Sequence, residues 1–210
     1  MISGSTIALS ALMLAQPASG PPDAAALIAH LARPAPAHTS YTEVRFVHVL
    51  RAPLVLHGEL EYLGQDHLSK RVDTPYRETS TIADGAVEVA REGRETRRFT
   101  LDRAPELKAM LASFGALLGG DIAVLEQVFS IALAQRGADW TLKLTPHDAE
   151  VARHLREVDV DGSAGEPRCF TLTEGGGDGS VMLLGGAAAQ KLPDPLTPAA
   201  LATLCGRVQR

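Results

Sequence analysis

The chemically capable side chains of this 210-residue sequence are seven histidines, at 30, 38, 48, 57, 67, 147 and 154, two cysteines at 169 and 205, and a glycine-rich run, GGGDG, at 175–179. Histidines and cysteines at short spacing hold metals, a strained serine or cysteine beside a base attacks carbonyls, and a glycine loop before a helix cradles phosphate. None of those patterns is complete. The histidines are scattered, and the sequence has no G-x-S-x-G elbow, H-E-x-x-H pair, P-loop, dinucleotide-binding glycine motif or C-x-x-C. Ser180 follows the glycine run, but no helix and no lysine does, and the run reads as a solvated hairpin loop. Asp84-Gly85 and Asp161-Gly162 read as turns before they read as acids. The expectation is therefore no catalytic residue, no metal and no cofactor. Cys169, in a strand-like segment, and Cys205, in a C-terminal helix, can form one intramolecular bridge where the compartment is oxidising; two buried, inert thiols are the alternative.

These residues must be positioned by a mainly antiparallel chain. Residues 23–32 carry an Asp cap and Leu27, Ile28 and Leu31 at helical spacing, and Pro34 ends that helix. From Tyr41 the period becomes two. Val44, Phe46, His48 and Leu50 alternate with Glu43, Arg45 and Val47, and Leu54, Leu56, Gly58, Leu60 and Tyr62 alternate with His57, Glu59 and Glu61. A turn at Arg51-Ala52-Pro53 would set 46 opposite Gly58 and 44 opposite Leu60, so that both apolar sets share one face and Phe46 covers Gly58; it also puts His48 on that face. Short strands follow at 68–73, 77–83, 86–91 and 96–101. Two amphipathic helices are expected at 104–118, with Leu107, Met110, Leu111, Phe114, Leu117 and Leu118, and at 121–135, with Ile122, Leu125, Val128, Phe129 and Leu133. Strands resume at 140–144, 155–160, 168–173 and 180–184, and Thr197-Pro198 opens a last helix.

Composition narrows the function. Twenty Lys and Arg against 25 Asp and Glu give a net charge of −5, which argues against nucleic-acid partners. Five Phe, three Tyr and one Trp leave any large apolar interior to be walled by Leu, Val, Ile and Ala. Residues 1–20 read as a signal peptide, with the apolar stretch IALSALMLA at 7–15, and residues 21–210 as one domain. A disordered or membrane-dipping extension is the alternative for the N-terminus. The first cysteine is Cys169, so no lipid-modifiable cysteine follows the apolar stretch and a free, untethered protein is expected.

The order of elements, with HGELEY at 57–62, PYRETSTIADG at 75–85 and DWTLKLTP at 139–146, resembles the periplasmic outer-membrane lipoprotein carrier family of the LolA/LolB type over roughly residues 23–185. The chain reads as a divergent LolA-related member, because Gly64-Gln65 stands where such carriers usually have Arg-Pro. The resemblance implies an α+β fold, mainly antiparallel β: an unclosed half-barrel with a helical lid over an apolar cavity. It implies a non-enzymatic, monomeric periplasmic carrier that shields the acyl chains of a lipoprotein or other lipid-linked envelope molecule, taken from an inner-membrane transporter and passed to an outer-membrane receptor.

The residues expected to line the cavity are Val44, Phe46, Leu54, Leu56, Leu60, Tyr62, Trp140, Leu142 and Leu144 on the sheet, with Leu111, Phe114, Leu118, Leu125 and Phe129 on the lid. Packing of the same residues as a solid core fits the periodicity equally well. A lipid-sensing regulatory module of the same fold, binding another protein's periplasmic domain, is the competing functional reading. A hydrolase or isomerase with an unrecognised site is a third, and His48 with Glu59 or Glu61 serves it poorly because the carboxylates point to the other face.

Overall fold

The computed structural model describes residues 23–64, 67–103 and 105–209. The segment read as a signal peptide and Gln65 lie outside them. Eleven strands make one antiparallel sheet: β1 (Ala37–Phe46), β2 (Leu54–Gly64), β3 (His67–Thr74), β4 (Glu78–Ala83), β5 (Ala86–Arg91), β6 (Arg97–Thr100), β7 (Phe129–Arg136), β8 (Asp139–Pro146), β9 (Leu155–Ser163), β10 (Glu166–Glu174) and β11 (Gly179–Leu184). Their order is β6-β5-β4-β3-β2-β1-β11-β10-β9-β8-β7, with β6 and β7 unpaired at the two edges among the described residues. The sheet is an unclosed half-barrel. On its inner face lie α1 (Ala24–Leu31), α2 (Pro105–Gly119), α3 (Ile122–Val128) and α4 (Ala149–His154); α5 (Pro198–Leu204) lies on the outer face.

Side-chain caps start the short helices. Asp23 accepts from Ala25 N, Asp121 from Val124 N, Asp148 from Glu150 N and Val151 N, and the Thr197 hydroxyl from Ala200 N. The cap at Asp148 opens α4, a helix absent from the sequence reading.

The expected helix at 121–135 is half strand. It ends at Val128, and Phe129 begins β7 with Ile131 facing Leu144 and Leu133 facing Leu142. Phe129, Ile131 and Leu133 alternate as well as they spiral, and pairing with β8 buries Leu142 and Leu144 completely, which decides between the two periods.

The β1–β2 register also differs from the expectation. Val44 faces Val55 and Tyr41 faces Gly58, because residues 47–53 form the connection and β1 stops at Phe46. The offset is odd, so the two strands' apolar sets part company. Leu54, Leu56, Leu60 and Tyr62 point inward with Tyr41, Glu43 and Arg45, whereas Val44 and Phe46 point outward with Val55. Tyr41, not Phe46, covers Gly58, and its hydroxyl donates to Arg71 O at 3.1 Å. A Cβ on residue 58 would sit 1.8 Å from Arg71 O. His48 is off the sheet, exposed, with Nδ1 2.8 Å from Asp178 Oδ1.

Both faces of the central strands are covered. Val44, Val181, Leu183 and Cys169 pack under Leu201 and Cys205, and Cys169 is disulfide-bonded to Cys205 with a Cα–Cα distance of 5.7 Å. Beside this patch a polar network fastens the tail. Arg207 Nη2 donates to Asp161 Oδ2 at 2.9 Å and to Thr171 Oγ1 at 2.7 Å, Arg207 Nη1 lies 2.9 Å from Asp159 Oδ2, and Val208 N donates to Thr141 Oγ1 at 2.9 Å. Asp161-Gly162 is thus no turn: Asp161 is wholly buried within β9, Gly162 lies against the Trp140 ring, and the turn comes at Ala164, where φ is 52°.

Candidate functional site

The inner face divides into two unlike halves. Over β8 and β9 it is sealed, although Ile131 and Leu133 of β7 and Leu172 of β10 stay half-buried. Trp140, Leu142, Leu144, Val158 and Val160 are 0–1% exposed, and Ile28, Leu31, Ala116, Leu117, Leu125 and Val151 from the helices close over them. Phe114 of α2 tilts against Phe170 of β10 with ring centroids 4.4 Å apart. Over β2–β6 the cover thins. Leu54, Leu60, Leu68, Val89 and Phe99 are only half-buried on the same inner face, although Leu56, Val72, Ile82 and Val87 beside them are buried. Leu101 and Leu111 pack over the far end of this half, against Ile82 and Val87.

Of the fourteen residues expected to line a cavity, Leu54, Leu56, Leu60, Tyr62, Trp140, Leu142 and Leu144 share the inner face, and Phe114, Leu125 and Phe129 pack against that same cluster. Phe129 does so from the start of β7. Leu111 belongs to the smaller cluster at the β4–β6 end, and Leu118 is half-buried near the end of α2. Val44 and Phe46 are not with them, being on the outer face. Leu107 and Met110 lie among side chains outside the described set.

The inner face also carries charge that the sequence reading set outside. Glu43 is buried on β1, where Arg45 Nε donates to its Oε1 at 2.9 Å and the Lys70 ammonium to its Oε2. Lys70 comes from β3, passing over the Tyr41 ring with Nζ 5.1 Å from its centroid, in the gap that Gly58 leaves between them. Burial alone would push the Glu43 carboxyl up, but Lys70 and Arg45 outweigh it and hold it below the usual carboxylate range. Burial lowers Lys70, and the attraction of Glu43 offsets that only in part. Burial, then the nearby Glu43 charge, raises Tyr41. Further along the face Glu78 stands opposite Arg91, whose guanidinium stacks 3.9 Å over the Tyr76 ring. Residues 41–44 are all buried, so both faces of β1 are covered and its inward set includes two charges, a burial that the sequence alone does not signal.

A separate cleft of about 210 Å³ lies against the β3–β4 turn, lined by Arg71, Asp73, Arg77, Glu78 and Glu92 among others. Hydrocarbon there would strip water from those charges, so the cleft is no acyl-chain site. Among the described residues no group of three or more His, Cys, Asp or Glu is placed to hold a metal, and no helix is long and apolar enough to cross a membrane.

The model of the family described as "outer membrane lipoprotein carrier protein LolA-like" matches residues 15–208. The chain belongs to this LolA-like family. Its members are binding and carrier proteins rather than enzymes. No curated protein sequence matches the chain.

Among solved structures, a LolA superfamily protein from Nitrosomonas europaea is similar with a TM-score of 0.43 at 11% identity, over 83% of this chain and 96% of that one. LprF from Mycobacterium bovis scores 0.34 at 10% identity, over 82% of this chain and 97% of that one. The MucA/MucB complex of Pseudomonas aeruginosa scores 0.40 at 17% identity, over 85% of this chain and 62% of that one. At these scores none of the three carries further weight.

Proposed function

We propose that this LolA-like chain is a periplasmic carrier that shelters the acyl chains of a lipoprotein or another lipid-linked envelope molecule on its way from an inner-membrane transporter to an outer-membrane receptor. The observation that supports this reading is the half-covered apolar surface of β2–β6, where Leu54, Leu60, Leu68, Val89 and Phe99 stay half-buried beside a sealed core. Each methylene hidden from water contributes about 0.8 kcal/mol, so a chain of ~16 carbons crossing an aqueous gap unprotected would cost on the order of 10 kcal/mol. Across the strands from β2 to β6 the inner face spans about 19 Å, four spacings of ~4.8 Å, longer than one leaflet's share, roughly 15 Å, of a bilayer core. An acyl chain lying along that half would be shielded once Leu111 withdraws from Ile82 and Val87. Aliphatic walls grip without strong orientation, which suits cargo that must be released.

The test is to purify the chain from its native envelope, identify what accompanies it by mass spectrometry, and titrate the delipidated protein with a fluorescent fatty acid. Bound lipid and saturable uptake are expected. Delipidated protein that takes up no probe would overturn the reading.

A further inference from the structure

We infer that the Arg45–Lys70 pair, held in place by Glu43, is a subsite for the anionic head group of the carried amphiphile, a phosphate or carboxylate whose hydrocarbon lies along the inner face of β2–β5. This inference rests on the carrier reading above.

The cluster is not a balanced ion pair. Two cations converge on one carboxylate, and with Glu78 and Arg91 the inner patch holds three cations against two anions, one positive charge in excess in a chain of net charge −5. Arg45 bonds Glu43 through Nε and Nη2, at 2.9 and 3.3 Å. Among the described residues its Nη1 has no acceptor, and the side chain is 40% exposed. Guanidinium and ammonium groups presented together recognise phosphate and carboxylate oxygens with charge-assisted hydrogen bonds.

The placement supplies the rest. Arg45 faces Leu54 across the β1–β2 pair, and Glu43 faces Leu56. Lys70 faces Leu60 and reaches back past Gly58 to Glu43, so the two cations stand between Leu54 and the half-buried row of Leu60, Leu68, Val89 and Phe99, a polar end beside an apolar track on the same face. A mere fold-stabilising pair in this position would be equalled by apolar residues of similar size, since burying ions costs about what their attraction returns. Glu43 itself competes with the ligand for both cations, which gives the test an arm that a structural pair cannot imitate.

The experiment uses the full chain, delipidated, with cis-parinaric acid and its methyl ester as fluorescent probes. The parent is expected to prefer the acid by at least about tenfold, the worth of one charge-assisted bond. Glu43→Gln, which keeps both cations and removes their competitor, is expected to tighten acid binding further. The triple variant Glu43→Gln, Arg45→Met, Lys70→Met leaves the cluster uncharged, avoids a lone buried charge and so keeps the fold testable; it is expected to bind acid and ester alike. Inorganic phosphate titrated by calorimetry separates the sources of the anion: weak or no binding supports a head group, whereas binding as tight as the acyl probe would overturn that assignment. Equal binding of acid and ester by the parent, or a triple variant that retains the preference, overturns the subsite while leaving the carrier reading standing. Failure of the parent to bind either probe overturns both.

Discussion

Replacing Cys169 and Cys205 together with alanine should reveal how much the outer layer contributes. The bridge spans a sequence separation of 36 and joins β10 to the end of α5. On the loop-closure model, cutting a loop of that size returns about 4 kcal/mol of chain entropy to the unfolded state. Both residues are fully buried against Val181, Leu183 and Leu201, so the lost sulfur packing acts in the same direction. With a urea slope of ~2 kcal/mol/M the midpoint should fall by about 2 M, and the melting temperature by roughly 8–16 °C. The loss should be uneven. Hydrogen exchange of the Val208 amide, which donates to Thr141 Oγ1, should accelerate more than exchange in β8 beneath it. Equilibrium urea unfolding of parent, reduced parent and double variant, followed by exchange, measures both quantities. A loss below about 1 kcal/mol, or uniform acceleration across the sheet, would refute the argument that the bridge fastens a distinct outer layer.

Three further outcomes follow from the geometry. Burial raises the Asp159 carboxyl to about 6 although Arg207 and Lys143 pull it down, and its Oδ1 has no hydrogen-bond partner among the described residues. A folded pKa above the unfolded value means that the folded state holds the proton more tightly, so this group favours folding below ~4, loses that contribution as pH rises to ~6, and changes nothing above; the span is at most about 3 kcal/mol. Asp159→Asn should flatten that part of the stability profile relative to the parent in urea titrations from pH 4 to 7, and an unchanged slope refutes the assignment. Gly58→Ala drives a Cβ into the Arg71 carbonyl and should cost at least about 2 kcal/mol, read as a lowered melting temperature. Finally, Leu60→Asn should weaken fatty-acid uptake severalfold, whereas Phe46→Ser, on the outer face, should lower stability by about 1–3 kcal/mol and leave uptake unchanged; the reverse pattern would place the cargo outside.

Most strands were readable because half-covered sheets alternate and Asp-Gly or Glu-Gly pairs mark their ends, as at Asp84-Gly85. The unclosed sheet and its inner helices came from the family resemblance that the order of elements suggested. Register was not readable. Two strands joined by a seven-residue connection can pair in neighbouring offsets, and only the covering of Val44 by Leu201 and Cys205, about 160 residues away in sequence, decides which alternation points inward. That one offset misplaced Val44, Phe46 and His48, and it concealed Glu43 and Arg45. Asp161 was missed for a related reason: an Asp-Gly pair signals a turn locally, but Arg207 and Thr141 satisfy the carboxylate inside β9, so the strand continues. Phe129 to Leu133 fit both periods, and the partner strand β8 made the choice.

The tail that α5 belongs to braces only part of the sheet. Strands β1 and β8–β11 are sandwiched between the inner helices and the outer segment, with a disulfide and the Arg207 network pinning the second side. Strands β3–β6 lack that second skin in the outer cluster. The sheet is therefore braced on both sides along its spine and on one side along its wing, and on the proposed carrier reading guests of different girth would be accommodated by bending the wing while the spine keeps its shape.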